Sequence, residues 1–521
     1  MVNEVLGERN EEQEARLKQY KNVAKHEDMR RRRTECSVEL RKQKRDDLMM
    51  KRRNLVEEDE DEKKEQKETE ANATTAPVRM SFDEVIKMLQ SGPDLQQTRD
   101  CFESVRRALS KSKNPPVDEV IQLGLLHALV QALNVEDDKV RFEAAWAITN
   151  VVSGSSEQTL EAVKAGATQP LVALTMSPDQ ALAEQALWAV ANIAGDSAQL
   201  RDYVIQCQGV DALMALAERV DGMEDSFVRT LAWAFSNMCR HKNPHAPLEV
   251  LAVLSRGLAL LIRHQDKTVR QDACWAISYL TDGPDEQITL AKDSGVMETI
   301  VKFLGDADTL VAPALRVLGN MATGNDVLTQ TVIDLGTLDL MAAVSKRAKS
   351  SSIVKECCWL ISNVIAGTQA QIQRVIDAGL LRMLIGVLES GDYKCQFECS
   401  WALANLVQGG TANQLLELYR EQPMTAIYHG LQHTNPDMQT NILEVLYALL
   451  NAVSSSAPEH LDSMKEAVEE TGALDTLERL QESQSEKVYS MAYKVISEFF
   501  SEDDEEDGGD ENAQPIGGYN F

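Results

Sequence analysis

The sequence predicts an all-α solenoid of about ten stacked helical repeats, with a basic N-terminal arm and an acidic C-terminal tail. Three observations predict it. Six tryptophans (Trp146, Trp188, Trp233, Trp275, Trp359, Trp401) are spaced by 42, 45, 42, 84 and 42 residues, and 84 is twice 42. Six glycines (Gly124, Gly166, Gly209, Gly295, Gly336, Gly379) are spaced by 42, 43, 86, 41 and 43. Each glycine opens a similar apolar run, such as GLLHALVQAL, GVDALMAL and GLLRMLIGVL, with a later copy, GALDTLERL, at Gly472. Helical apolar spacing at a period near 42 is the mark of armadillo or HEAT units, and no such unit buries its apolar face alone.

The elements follow in order. Residues 1–56 carry 16 Lys+Arg against 11 Asp+Glu, a net of +5, in a chain of net charge -29. This arm is polar and poor in large apolar residues, so alone it lacks the means to build a core. Its basic clusters have an obvious partner in the acidic body behind them. EEDEDE at residue 57 opens an acidic linker running to residue 80. SFDEVIKMLQ then reads as a capped helix start, with Ser81 as N-cap and Glu84 three residues on. Residues 81–500 hold the repeats, with glycine turning the chain sharply between helices. The stretch SEDDEEDGGDENAQPIGGYNF, residues 501–521, is an acidic tail.

Composition narrows the function. The 43% apolar content suits a large core, and 5% aromatics suits Leu, Ala and Val packing. Nine scattered cysteines show no matched metal spacing and read as buried free thiols. No signal peptide is expected in MVNEVLGERNEEQEARLK, and no apolar run approaches the ~18 residues of a membrane span. These point to a cytosolic or nuclear protein without membrane insertion. The acidic body repels phosphates, so direct nucleic-acid binding is not expected.

The informative motif is Trp followed four residues later by Asn. It occurs as WAITN (Trp146, Asn150), WAVAN (Trp188, Asn192), WAFSN (Trp233, Asn237), WLISN (Trp359, Asn363) and WALAN (Trp401, Asn405). Positions i and i+4 share a helix face, so each repeat presents an indole beside an amide. A repeated Trp alone would ordinarily be core. The Asn argues otherwise, because it is a poor helix former and a buried unpaired amide costs about 1–3 kcal/mol. Its donors and acceptor match the main chain of an extended peptide.

Three residues before each Trp lie Glu143, Gln185, Thr230, Asp272, Glu356 and Glu398, four of them acidic. Parallel indoles would sandwich Lys or Arg stems, with carboxylates taking the charged heads. A peptide of clustered Lys and Arg is therefore the fitting ligand. The ladder breaks at WAISY, with Tyr279 after Trp275, and at RVLGN, where Arg316 replaces Trp and Asn320 is kept. That divides the groove into two clusters roughly 30 Å apart at ~10 Å per repeat, a span for a linker of about ten extended residues.

With these motifs in view, the chain closely resembles the importin-α (karyopherin-α) family of nuclear import adaptors. The resemblance covers nearly the whole chain. In the arm it rests on RLKQYKN (16–22), the cluster Arg30, Arg31, Arg32 and Arg33, VELRKQKRDD (38–47) and KRRN (51–54). It implies a right-handed armadillo superhelix and an importin-β-binding arm carried by those arginines with Arg41, Lys42, Lys44, Arg45, Lys51, Arg52 and Arg53. It implies a major cargo site at Trp146, Asn150, Gly154, Thr159, Gln185, Trp188, Asn192, Asp196, Trp233 and Asn237, with Asp196 meeting the key lysine of a nuclear localisation signal. It implies a minor site at Tyr279, Arg316, Asn320, Glu356, Trp359, Asn363, Glu398, Trp401 and Asn405. Shuttling between cytoplasm and nucleus follows, with the terminal repeats and acidic tail meeting an export receptor with Ran-GTP. Cys36, the Met49–Met50 pair and Val327–Leu328 depart from the family pattern.

KRRN at Lys51 is itself a passable localisation signal. The expectation is that it folds into the N-terminal slots, competes with cargo at an effective concentration of order mM, and leaves when importin-β takes the arm. A β-catenin-type scaffold is the alternative, but such grooves use basic rows, and this rim is acidic and tryptophan-lined. No enzyme or cofactor is expected. The pairs His241/His245 and His429/His433 have helical metal spacing but no Glu after the first His, and Pro244 interrupts the former. Both pairs read as surface or loop histidines.

Overall fold

The computed structural model describes residues 51–52 and 79–500. Expectations for the rest of residues 1–78 and for 501–521 lie outside the described residues. These include Arg30, Arg31, Arg32, Arg33, Arg41, Lys42, Lys44, Arg45 and Arg53. Among the described residues the secondary structure is helical throughout, without a strand.

The helices group into ten repeats. Repeat 1 is a pair, α1 (Phe82–Gln90) and α2 (Leu95–Leu109). Repeat 2 has α3 (Val117–Gln122), α4 (Leu125–Ala132) and α5 (Asp138–Val152). Repeat 3 has α6 (Ser156–Lys164), α7 (Thr168–Leu174) and α8 (Gln180–Asp196). Repeat 4 has α9 (Ala198–Gln206), α10 (Gly209–Ala217) and α11 (Asp225–Arg240). Repeat 5 keeps only α12 (Leu248–Leu261) and α13 (Lys267–Leu280), because residues 241–247, HKNPHAP, form a loop instead of a first helix. Repeat 6 has α14 (Asp285–Asp293), α15 (Met297–Phe303) and α16 (Asp308–Met321). Repeat 7 has α17 (Asp326–Asp334), α18 (Thr337–Arg347) and α19 (Ser351–Ile365). Repeat 8 has α20 (Gln369–Asp377), α21 (Leu380–Ser390) and α22 (Tyr393–Gly409). Repeat 9 has α23 (Ala412–Arg420), α24 (Met424–Leu431) and α25 (Pro436–Ser456). Repeat 10 has α26 (Leu461–Glu470), α27 (Ala473–Leu480) and α28 (Glu486–Phe499).

The chain divides into two compact blocks, Met1–Val364 and Ile365–Phe521. In the first block the last helices of successive repeats pack in series: α2 on α5, α5 on α8, α8 on α11, α11 on α13 and α13 on α16. In the second, α22 packs on α25 and α25 on α28. Leu, Ala, Val and Ile fill these contacts. Ile148, Leu187, Leu231 and Leu315 are fully buried in the first block, and Leu403 and Leu446 in the second. Each such side chain contributes roughly 1.5–3 kcal/mol of transfer free energy.

Local sequence sets where helices begin. Ser81–Glu84 forms the expected capping box, and Asp94–Gln97, Ser155–Gln158, Thr368–Gln371 and Thr411–Gln414 repeat the device. Gly124, Gly336, Gly379 and Gly472 take the left-handed conformation at junctions between helices, as the repeat pattern requires. Repeat 4 departs from this. Gln208 takes the left-handed residue (φ 63°), and Gly209 lies inside α10. A Cβ on Gly209 would sit 2.4 Å from Val204 Cγ1, so this glycine serves close packing, not the turn. The eight described cysteines with free thiols are all buried. Among the described residues no single helix is long and apolar enough to cross a membrane, and the pair α17–α18, which has the length and composition jointly, bends by 69°.

Candidate functional site

The helices α5, α8 and α11 each carry one Trp–Asn rung, α13 carries Trp275 with Tyr279, α16 carries Arg316 with Asn320, and α19 carries Trp359 with Asn363. All of these belong to the first block. Glu398, Trp401 and Asn405 lie on α22 in the second, where Phe397 meets Trp401 edge-on at 6.3 Å.

The asparagines do more than the sequence suggested. All five in the first block are at most 4% exposed. Each points its NH2 at the preceding ladder helix: Asn150 Nδ2 donates to Ser110 Oγ (3.0 Å), Asn237 to Ala191 O (2.8 Å), Asn320 to Ser278 O (2.9 Å) and Asn363 to Gly319 O (3.2 Å). Asn192 reaches Thr149 O at 3.5 Å, the weakest of the set. The amides therefore stitch neighbouring repeats, which is why a buried Asn is tolerated in register. The expectation that a packed interior would not select Asn is corrected by these bonds. The indoles also differ from the expected parallel array. Trp188 and Trp233 meet edge-to-face, 6.4 Å apart and 76° between planes. This is the arrangement that ring quadrupoles favour. Trp233 and Trp359 are almost wholly buried, whereas Trp146, Trp188 and Trp401 are half-buried.

Two arm residues are seated on this surface. Lys51 Nζ lies 2.5 Å from Asp196 Oδ1 and donates to Thr159 Oγ1 (2.8 Å) and Gly154 O (2.9 Å). An ammonium has three donors, and here all three are used. Asp196 ends α8 and also accepts from Ser156 Oγ at 3.0 Å. A helix C-terminus favours a cation, so the dipole of α8 assists the carboxylate. Arg52 is held by its main chain: its N donates to Asn192 Oδ1 (2.9 Å), and its O accepts from Trp188 Nε1 (2.7 Å) and Asn192 Nδ2 (3.0 Å). Its guanidinium lies 4.6 Å over Trp233 and 3.3 Å from Asp272 Oδ2. Burial pushes the Asp272 carboxyl up, and the Arg52 charge opposes that. Asn192 thus uses one amide both to join repeats and to grip a foreign-type backbone.

Other rungs are filled from within the body. Arg316 forms a two-pronged bond to Glu356 (3.0 and 3.2 Å) and lies 5.9 Å over Trp359. Gln185 is 4% exposed and donates to Thr149 Oγ1 at 2.7 Å. Tyr279 leans on Trp275 at 6.5 Å. The first rung escaped the sequence reading. Arg106 on α2 and Ser110, the C-cap of that helix, occupy the Trp and Asn places of repeat 1, and the i, i+4 pair in RRALS was the available signal. Of the histidines, His241 lies in the expected loop, half-buried. Its ring is 3.2 Å from Gly195 O, and burial, then Arg240 and Arg201, pushes its pKa down to about 4. His429 lies on α24, and His433 follows it.

A stack of such repeats, with Asn-stitched rungs and two basic residues of its own arm seated on them, defines an armadillo-repeat protein. Comparison with known proteins is specific. Residues 16–102 match the importin beta binding domain, 113–153, 155–195 and 368–408 the armadillo/beta-catenin-like repeat, and 462–515 the atypical Arm repeat. The chain is 59% identical to importin subunit alpha-2 of Caenorhabditis elegans over 98% of its own length and 96% of the relative's. It is 33% identical to importin subunit alpha-4 of Arabidopsis thaliana, covering 98% of both chains. An engineered protein of known crystal structure shares the fold, with a TM-score of 0.70 at 24% identity over 80% of this chain and 98% of that one. The chain belongs to the importin-α family. It is a nuclear import adaptor, not an enzyme, and its importin-β-binding domain meets importin-β.

Proposed function

We propose that the rungs of α5, α8 and α11 hold the lysines and arginines of classical nuclear localisation signals as they hold Lys51 and Arg52. The observation that carries this is the seating of Lys51 by Asp196, Gly154 and Thr159, with the Arg52 backbone bracketed by Trp188 and Asn192. The ladder residues from Trp146 to Asn237 form the major site. Tyr279, Arg316, Asn320, Glu356, Trp359, Asn363, Glu398, Trp401 and Asn405 form the minor one. Residues 1–56 act as the importin-β-binding, autoinhibitory arm, 57–80 as linker, 81–500 as the cargo domain and 501–521 as an acidic tail. The match to the importin beta binding domain runs further, to residue 102. The adaptor shuttles between cytoplasm and nucleus, and the last repeats meet an export receptor with Ran-GTP.

The test is anisotropy of a labelled KKKRK-type peptide on the full chain with saturating importin-β. Binding is expected, with loss of at least a hundredfold in Asp196→Lys, which sets like charges at contact. Equal binding by both proteins would remove the groove from consideration. Capture of a Ran-GTP-loaded export receptor by the cargo-free chain tests the return leg, and no capture would refute it.

A further inference from the structure

The contacts of Arg106 match those of a bound ligand. Its guanidinium lies 4.5 Å over the Trp146 ring, and its Nε donates to Glu143 Oε2 at 2.7 Å. It is only 7% exposed. Glu143 stands three residues before Trp146, the position held by Asp272 relative to Trp275. Arg52, a cation supplied by the arm, meets the same two kinds of partner: an indole face at 4.6 Å and a carboxylate three residues before a ladder Trp at 3.3 Å.

Arg106 also has the right address. Ser110, one turn on, accepts the stitching bond from Asn150 that elsewhere lands on the preceding ladder helix. Arg106 therefore stands where repeats 2 to 5 carry Trp. Arg316 stands in the same place in repeat 6 and makes the same pair of contacts, with Glu356 and Trp359. The four indoles Trp146, Trp188, Trp233 and Trp275 thus form a run with an arginine rung at each end.

We propose that Arg106 is a built-in ligand that fills a cation subsite between repeats 1 and 2, and so sets the N-terminal limit of the basic register the groove can read. A second cation is kept out twice over. The slot volume is taken, and the Glu143 charge is already compensated. The inference rests on the groove reading above and adds a specificity-determining residue to it. Without Arg106, a peptide with one more arginine would find an indole face and a half-buried carboxylate waiting.

The test compares labelled penta-arginine and hepta-arginine on the full chain with saturating importin-β. Taking the ratio of their Kd values within each protein cancels any residual competition from the arm. In Arg106→Ala that ratio is expected to favour the longer peptide about tenfold more than in the wild type, the size of a partly desolvated cation–π contact with its ion pair. The double variant Arg106→Ala/Glu143→Gln is expected to lose the gain. Circular dichroism melts report folding, and Arg106→Gln replaces Arg106→Ala should the latter not fold. An unchanged ratio in a folded variant overturns the inference alone. Unfolding of both single variants also overturns it, because Arg106 would then be a strut. Failure of the wild type to bind penta-arginine would sink the groove reading together with the inference.

Discussion

Replacing Lys51 by Ala should release the groove from its own arm. In the structure the ammonium satisfies Asp196, Thr159 and Gly154 at 2.5, 2.8 and 2.9 Å, and the two charged side chains are 14% and 6% exposed. Truncating one partner of such a desolvated, hydrogen-bonded pair costs about 2–5 kcal/mol, and a middle value of ~3 is roughly 150-fold. Suppose the tethered arm is docked about a hundred times more often than open, as a local Kd near 10 μM and an effective concentration near 1 mM would give. Cargo then binds with about a hundredth of its intrinsic affinity, since only the open fraction is competent. Lys51→Ala brings docked and open states near parity, so apparent affinity should rise roughly fiftyfold. The assay is anisotropy of a labelled basic peptide on wild type, Lys51→Ala and Lys63→Ala, each with and without importin-β. Importin-β should tighten the wild type and Lys63→Ala strongly but Lys51→Ala hardly at all. Equal apparent Kd values for all three proteins, with equal gains from importin-β, would refute the reasoning.

Three further outcomes follow from packing and charge. A Cβ on Gly319 would lie 2.1 Å from Trp359 Cζ3, so Gly319→Ala should displace that indole, cost about 1–3 kcal/mol by urea denaturation, and blue-shift or broaden tryptophan emission. Gln208→Gly should raise Tm by relieving a side chain held at φ 63°, a gain of up to about 1 kcal/mol; a fall in Tm would mean Gln208 holds an interaction that outweighs its strain. Asp137 pairs with Arg99 and caps α5, and this holds its carboxyl down at about 2, below the unfolded value of 3.8. A depressed pKa contributes stability that is present above the unfolded value and lost as pH falls through the folded one. The urea-midpoint gap between wild type and Asp137→Asn should therefore be full above pH 4 and shrink towards pH 2, and a gap independent of pH would contradict it.

The helices and the rungs were legible because their signals are periodic and local. Trp at 42-residue intervals, Gly at the junctions and Ser81 with Glu84 each act within one or two turns of chain. What escaped depends on neighbours. The angle between Trp188 and Trp233 is set by how α8 packs on α11, and no spacing rule encodes it. The Asn amides find their partners on the preceding repeat, about forty residues away, so sequence showed a free ligand grip where the fold also has a seam. Gln208 took the turn because Gly209 was needed against Val204. Arg106 stayed hidden because repeat 1 lacks the Trp that made the other rungs visible, although its i, i+4 pairing with Ser110 was present in the chain.

The seam made by the asparagines has a consequence for selectivity. Asn150, Asn192, Asn237, Asn320 and Asn363 each join their rung to the one before it through main-chain oxygens or a hydroxyl. The interval between rungs is thereby held by bonds within the fold itself, which lowers the ordering cost of binding a peptide there. On the proposed reading of the groove the adaptor works as a gauge, measuring the distance between positive charges along an extended strand and indifferent to most of what lies between them. That permits many unrelated cargoes to carry one readable mark.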